Sequence, residues 1–391
     1  MTKGKAIVPR IKNSLIIIVL LLMSFIFLYA GHFLFNGENA PQTREEKSGT
    51  AERKEAAKPA GPPVIYKHSS IKVNGNKQEV NLLEIDPAGE GIEIKPILSY
   101  NSIFGFEKLS VMAERAKAHA ATNAGFFYEY GQPGGMVAID GEIITMPTGK
   151  YPVFMVSGGR ASLGEMKLKL KLAHNGENVT DVDDINAFAQ PGKVIAYTPY
   201  FGSDNRAKIS NGTLAVRDKS LTDFKDYPGS SEIPGDGMLV SFFKPYPAAV
   251  GKLQFNKGDS VEVIAEPALP PDCQAYECGS WIVRDGQVVI GDRDEWVGLL
   301  TNRDPRTAIG IKEDGKVLLM TVDGRQPGYS AGLTAKELGE LLLQYGAKNA
   351  AMLDGGASTE MIVEGKLVNR PSFKGQERLM GGGLLVIKKE K

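Results

Sequence analysis

The segment Leu353-Asp354-Gly355-Gly356-Ala357-Ser358-Thr359 sets one carboxylate beside a run of glycine and small hydroxyl residues. Glycine permits close backbone approach and positive φ, and successive free N–H groups can then form a concave nest for an anionic oxygen. A carboxylate next to a phosphate-sized nest suits binding or hydrolysis of a phosphate ester. An ordinary strand-to-loop turn is the alternative. A second carboxylate, Asp323, closes the apolar run Lys316–Val322 and is followed by Gly324-Arg325. Arg306-Thr307 supplies a planar guanidinium, fit for bidentate phosphate binding, and a hydroxyl. Asn123-Ala124-Gly125-Phe126-Phe127 adds an amide, a glycine and two aromatic rings. Asn123 also reads as a turn cap, and the two phenylalanines read as core more readily than as a sugar platform.

Positioning these groups requires particular elements. Ile309–Lys312 and Lys316–Met320 flank Asp314-Gly315, a strong hairpin signal. Thr334 and Glu337 have capping-box spacing. Leu338, Leu341, Leu342 and Tyr345 then give a helix its apolar face, and Gly346 suits its stop. Ala350–Leu353 reads as a buried strand. With parallel strands this is a right-handed crossover unit, and Asp323 and Asp354 emerge together at C-terminal strand ends, where open α/β sheets bind ligands. Ser110 is expected to cap an earlier helix through His119, which leads into Ala120–Asn123. The expected fold class is α+β: a mixed β-sheet core with crossover helices, in a single elaborated catalytic domain behind an N-terminal transmembrane helix.

Taken together, Asn123–Phe127, Arg306–Gly310, Val322–Arg325 and Leu353–Ser358 resemble motifs of the phosphodiester glycosidase family, in the same order. Pro133-Gly134-Gly135 with Asp140-Gly141, Asn186 with Tyr197-Thr198, and Glu377-Arg378 resemble further family segments. The likeness runs from about Ser110 to Ile387; Glu277-Cys278-Gly279-Ser280-Trp281 departs from it, where many relatives have a glycine-rich turn followed by proline. The family includes an enzyme that removes a capping N-acetylglucosamine from a sugar phosphodiester. The resemblance therefore implies hydrolysis of sugar-1-phosphodiesters. Asp354 is the expected catalytic carboxylate, Asp323 its partner in activation or positioning, and Glu377 a weaker acid/base. Arg306 and the loop of Gly355, Gly356 and Ser358 are expected to bind phosphate, Asn123 to orient sugar or phosphate oxygens, and Gly125, Thr307 and Arg325 to bind substrate. Two aspartates near a phosphate also suit Mg²⁺ or Ca²⁺, and no dedicated calcium loop is present, so the metal is left unassigned. A non-catalytic polysaccharide-binding module and a phosphodiesterase cleaving at phosphorus are the alternative functions.

Length and composition are compatible with this reading. The 391 residues carry 46 Lys+Arg and 46 Asp+Glu, a net charge of zero, so no general nucleic-acid affinity is expected. Lys3, Lys5, Arg10 and Lys12 precede an apolar run at 15–35, long enough for one membrane span of roughly 20 residues. The basic flank at 1–14 predicts a cytoplasmic N-terminus. Leu28 suits a signal-peptide cleavage site poorly. The expectation is thus a signal-anchor at 15–35, a disordered tether at 36–63 and an exported catalytic domain at 64–391, acting on envelope or extracellular glycopolymers. Cys273 and Cys278 allow a local disulfide or two thiols. The four histidines, His32, His68, His119 and His174, adjoin no glycine-rich motif, which disfavours a serine–histidine hydrolase or a histidine-rich zinc centre.

Overall fold

The computed structural model describes residues 62–246, 251 and 253–389. Its central element is a seven-stranded sheet. In spatial order the strands are Val64–Val73, Asn76–Ile85, Val317–Val322, Arg306–Lys312, Ala347–Met352, Trp281–Arg284 and Gln287–Val288. Every pairing in it is antiparallel. The Asp314-Gly315 hairpin forms as its sequence dictates, with Gly315 at φ +83.

The sheet is covered on both faces, which explains why Val317–Val322 is buried at every position, and apolar at all but Thr321, instead of alternating. Leu319, Ile309 and Leu83 enter the largest core cluster. Leu318, Met320, Ala308 and Leu82 pack on the opposite face against Leu338, Leu341 and Leu342 of the helix Ala335–Gln344. That helix begins with the expected capping box, Thr334 and Glu337 satisfying each other's backbone N–H groups. It ends at Gly346, whose φ is +88. A second sheet, ordered Lys366–Leu367, Met361–Val363, Ala120–Asn123, Gly382–Lys388 and Ile92–Leu98, contributes Ile94, Leu384 and Val386 to the same main core.

The α+β fold class is overturned. The described residues contain two α-helices, Leu109–Arg115 and Ala335–Gln344, among sheets that are antiparallel in all but one pairing. The two strands of the expected crossover unit are not adjacent. Val317–Val322 and Ala347–Met352 do not pair; each lies antiparallel to Arg306–Lys312 between them. Hairpins, which need only a tight turn, build most of the chain. The earlier helix also differs: Lys108, not Ser110, is its N-cap residue, and it stops at Arg115.

The single-pass localisation is corrected as well. Among the described residues no helix is long and apolar enough to cross a membrane: the two present have seven and ten residues, against roughly 20 for a span. The apolar run at 15–35, and nearly all of the expected tether, lie outside the described residues. Cys273 and Cys278 are buried free thiols at either side of the strand Gln274–Glu277, and burial pushes both thiols up.

Candidate active site

Three segments meet at one edge of the central sheet. Arg306 opens its strand opposite Val322, and Ala308 lies opposite Met352. The loops that follow Val322 and Met352 therefore leave from the end where Arg306 begins. Asp323 and Asp354 share that edge, yet their surroundings differ.

Asp354 lines a cavity of about 310 Å³ together with Arg306, Arg325, Arg378, Asp304, Gly355, Gly356, Phe126 and Trp296. Its backbone is held at both ends: its N–H donates to the Ala124 carbonyl at 3.0 Å, and its own carbonyl accepts from Asn123 Nδ2 at 2.6 Å. Its Oδ1 accepts the Gly355 N–H at 2.8 Å. The Ser358 hydroxyl faces the carboxyl, short of full hydrogen-bond geometry. Burial pushes the Asp354 carboxyl above the ordinary aspartate range, outweighing Ser358, the Arg378 guanidinium and the Gly355 N–H, which stabilise the anion.

Asn123 and Thr307 stand behind this loop instead of lining the cavity. Thr307 Oγ1 donates to Asn123 Oδ1 at 2.8 Å, and the Glu360 N–H reaches the same oxygen at 3.2 Å. With its amide N–H on Asp354, Asn123 ties two sheets and two loops together, so its amide is spent on positioning. Gly125 is required by proximity: a Cβ there would sit 2.4 Å from the Glu277 carbonyl.

The expected anion nest is occupied by its own chain. The Gly356 N–H donates to Pro305 O at 2.9 Å, Ser358 to Gly355 O at 3.1 Å, and Thr359 to Gly356 O at 3.3 Å. Positive charge comes instead from arginines. Arg325, in the left-handed region at φ 58, lays its guanidinium over Gly356, where a Cβ would come within 3.3 Å of it. Its Nε donates to Asp304 Oδ1 at 2.8 Å, and Asp304 Oδ2 lies 3.8 Å from Arg306 Nη2. Asp304 thus holds the two cations at fixed separation despite their repulsion. Arg306 is buried, with Nε on Leu333 O at 3.0 Å and Nη2 on Asn302 O at 2.9 Å. Those bonds leave Nη1 with only a 4.0 Å contact to Met352 Sδ. The aromatic side of the cavity is Phe126 stacked on Trp296, centroids 5.1 Å apart and planes within 4°.

Asp323 is absent from the cavity lining. Its Oδ1 accepts Asn369 Nδ2 at 2.8 Å, and its Oδ2 accepts the Arg370 N–H at 2.9 Å and the Tyr329 hydroxyl at 3.2 Å. Burial pushes this carboxyl up too, against those donors. Glu377 is likewise elsewhere: it accepts the Ser110 N–H at 2.8 Å and its hydroxyl at 2.7 Å, capping the short helix from outside. Of the two aspartates expected to share a cation, Asp354 lines this cavity and Asp323 does not. Among the described residues no group of three or more His, Cys, Asp or Glu is placed to hold a metal ion.

Asp304, Trp296 and Arg378 are cavity residues that motif reading missed. Asp304 stands two positions before Arg306, and Arg378 follows Glu377, so a signal existed for both. Trp296 carried none. Glu360 was also missed: its side chain is fully buried, with Oε1 accepting the Arg378 N–H at 2.7 Å and Oε2 without a partner.

Comparison with known proteins supports the resemblance read from the motifs. Residues 207–387 match the family model described as phosphodiester glycosidase. That segment belongs to the phosphodiester glycosidase family. It includes Arg306, Asp323, Arg325, Asp354 and Glu377, whereas Asn123 and Gly125 precede it. An uncharacterised SPβ prophage-derived protein of Bacillus subtilis is 30% identical over 185 residues, covering 44% of this chain and 28% of that one. The N-acetylglucosamine-1-phosphodiester alpha-N-acetylglucosaminidase of Mus musculus is 28% identical over 131 residues, covering 31% of this chain and 25% of the enzyme. The chain thus spans about a quarter of the length of these curated relatives. The crystal structure of a hypothetical protein from Synechocystis shares the fold, with a TM-score of 0.67 at 22% identity, covering 84% of this chain and 64% of that one.

Proposed function

We propose that this chain hydrolyses sugar-1-phosphodiesters of the N-acetylglucosamine-1-phosphate type, at the anomeric carbon. The observation that carries the reading is the cavity itself, where Asp354 lies among Arg306, Arg325 and Arg378 with the Phe126–Trp296 stack on one side. A pyranose has an apolar C–H face that suits an aromatic wall, and a phosphodiester is an anion that suits guanidinium groups.

The chemistry follows from the leaving group. Ordinary glycosidases need one carboxylic acid to protonate a poor leaving group and a second carboxylate as base or nucleophile. A phosphate monoester leaves as a stabilised anion, so one carboxylate suffices when cations receive the charge. As the bond from the anomeric carbon to the phosphate oxygen breaks, its electron pair stays on that oxygen, beside Arg325 and Arg306 Nη1. Asp354 accepts a proton from the attacking water, whose oxygen bonds to the sugar, and later releases that proton to solvent. Asn123 and Thr307 hold the Asp354 loop, and Asp323 serves as a positioning residue that anchors the loop at Asn369-Arg370.

The glycan is proposed to be a phosphodiester-linked glycopolymer, for the reason developed below. The test is incubation of the purified chain with a methyl diester of N-acetylglucosamine-1-phosphate. Free N-acetylglucosamine and methyl phosphate are expected in equal amounts. Retention of the intact diester, or release of N-acetylglucosamine-1-phosphate and methanol, would contradict the reading.

A further inference from the structure

A groove of about 510 Å³ lies outside the Asp354 cavity, lined by Phe104, Gly105, Phe106, Tyr130, Phe188 and Arg206. Its rings stay in water where burial would be favourable: Phe188 is 49% exposed and Tyr130 59%. A cluster of exposed aromatics of this kind marks a binding surface more often than a packing accident.

The groove is built, not merely open. Phe104 and Phe188 rest on Phe201, which is fully buried, with centroids 5.2 and 6.0 Å from it. The two loops that carry Phe104, Phe106 and Tyr130 are pinned together where the Gly105 N–H donates to the Tyr130 carbonyl at 2.8 Å. There a Cβ on Gly131 would sit 2.1 Å from Gly105 O. Arg206 places its guanidinium carbon 4.1 Å from the Phe104 centroid, and its backbone N–H donates to Asp204 Oδ1 at 2.7 Å. The aromatic line continues toward the cavity: Phe106 meets Phe127 edge-on at 5.8 Å, and Arg378, a cavity residue, lies 5.5 Å above Phe127.

We propose that this groove binds further sugar units of a phosphodiester-linked glycan whose cleaved linkage sits in the Asp354 cavity. The inference rests on the proposed hydrolysis and extends it from a small diester to a polymer. Pyranose faces stack on Phe188 and Tyr130, and Arg206 meets a phosphate of the repeating backbone. Alternating apolar and anionic units is what such a chain presents, and alternating rings and cations is what the path from Phe188 to Arg378 offers.

The experiment compares the full-length chain with its Phe188→Ala and Arg206→Gln variants. The probes are a phosphodiester-linked N-acetylglucosamine tetramer and the methyl diester. Each substitution is expected to lower kcat/KM on the tetramer about tenfold, the loss expected for one stacking or charged contact, and to leave the methyl diester unchanged. Calorimetric titration of the tetramer into the same variants in an Asp354→Asn background should show the same weakening. Tyr130→Ala replaces Phe188→Ala if the latter lowers Tm. Normal turnover of both probes by all variants would overturn the groove and spare the hydrolase. Tetramer binding that depends on Phe188, with no turnover of either probe by the unsubstituted chain, would do the reverse. Equal losses on both probes, or no binding of the tetramer, would also overturn the groove.

Discussion

Asp323 and Asp354 follow two strands that flank Arg306–Lys312 in one sheet, leave it from the same edge, and are both pushed up by burial. Yet they are different kinds of residue. Three donors occupy the Asp323 carboxylate, from Asn369, Arg370 and Tyr329. One backbone N–H, from Gly355, reaches the Asp354 carboxylate, which faces a cavity with three arginines. Position at a strand end brings a carboxylate to the functional edge. The number of donors already attached decides whether it holds the fold or remains free to act.

The comparison is broken most severely by replacing both aspartates with asparagine. Asp354→Asn should lower turnover of a sugar-1-phosphodiester about a hundredfold or more, the usual worth of a positioned base, with Tm close to that of the parent chain. A turn-only role for Asp354 would leave turnover near normal, because asparagine serves turns about as well.

Asp323→Asn should act in the opposite register. Its amide nitrogen would face donors that now have no acceptor, at a cost of about 1–3 kcal/mol per stranded group. Thermal denaturation should show a lowered Tm. Turnover measured well below that Tm should fall less than for Asp354→Asn. A stable but inactive Asp323→Asn would return Asp323 to the chemistry.

Much of this was legible in the sequence. The Asp314-Gly315 hairpin, the Thr334–Glu337 capping box and the Gly346 stop all have local causes, and all are found where the residues place them. The crossover was misread because strand pairing is not local. Nothing in Ala347–Met352 says that its partner is Arg306–Lys312 instead of Val317–Val322. The site divides the same way. Asp354 and the arginines at 306 and 325 could be chosen by type and motif. That Asn123 would be spent on Asp354 O and Thr307, or Glu377 on Ser110, depends on contacts more than a hundred residues apart in the chain.

Glu360 gives an effect that is read through pH. Burial pushes its carboxyl from the ordinary 4.5 up to about 8, against the Arg378 N–H and guanidinium. A carboxyl whose folded value is raised stabilises the fold fully below its unfolded value, and that contribution is lost as pH rises through the folded value. The Tm of Glu360→Gln minus that of the parent chain should therefore grow between pH 4.5 and about 8. A difference that stays flat across this window would mean that Glu360 is already ionised or solvated.

The central claim is cleavage between the anomeric carbon and the phosphate oxygen, and isotope-labelled water tests it most directly. With the methyl diester of N-acetylglucosamine-1-phosphate as substrate, the products of limited turnover are weighed by mass spectrometry before the sugar exchanges oxygen with solvent. The label is predicted in the released N-acetylglucosamine, with methyl phosphate unlabelled. Label in the phosphate would place the attack at phosphorus and contradict the account.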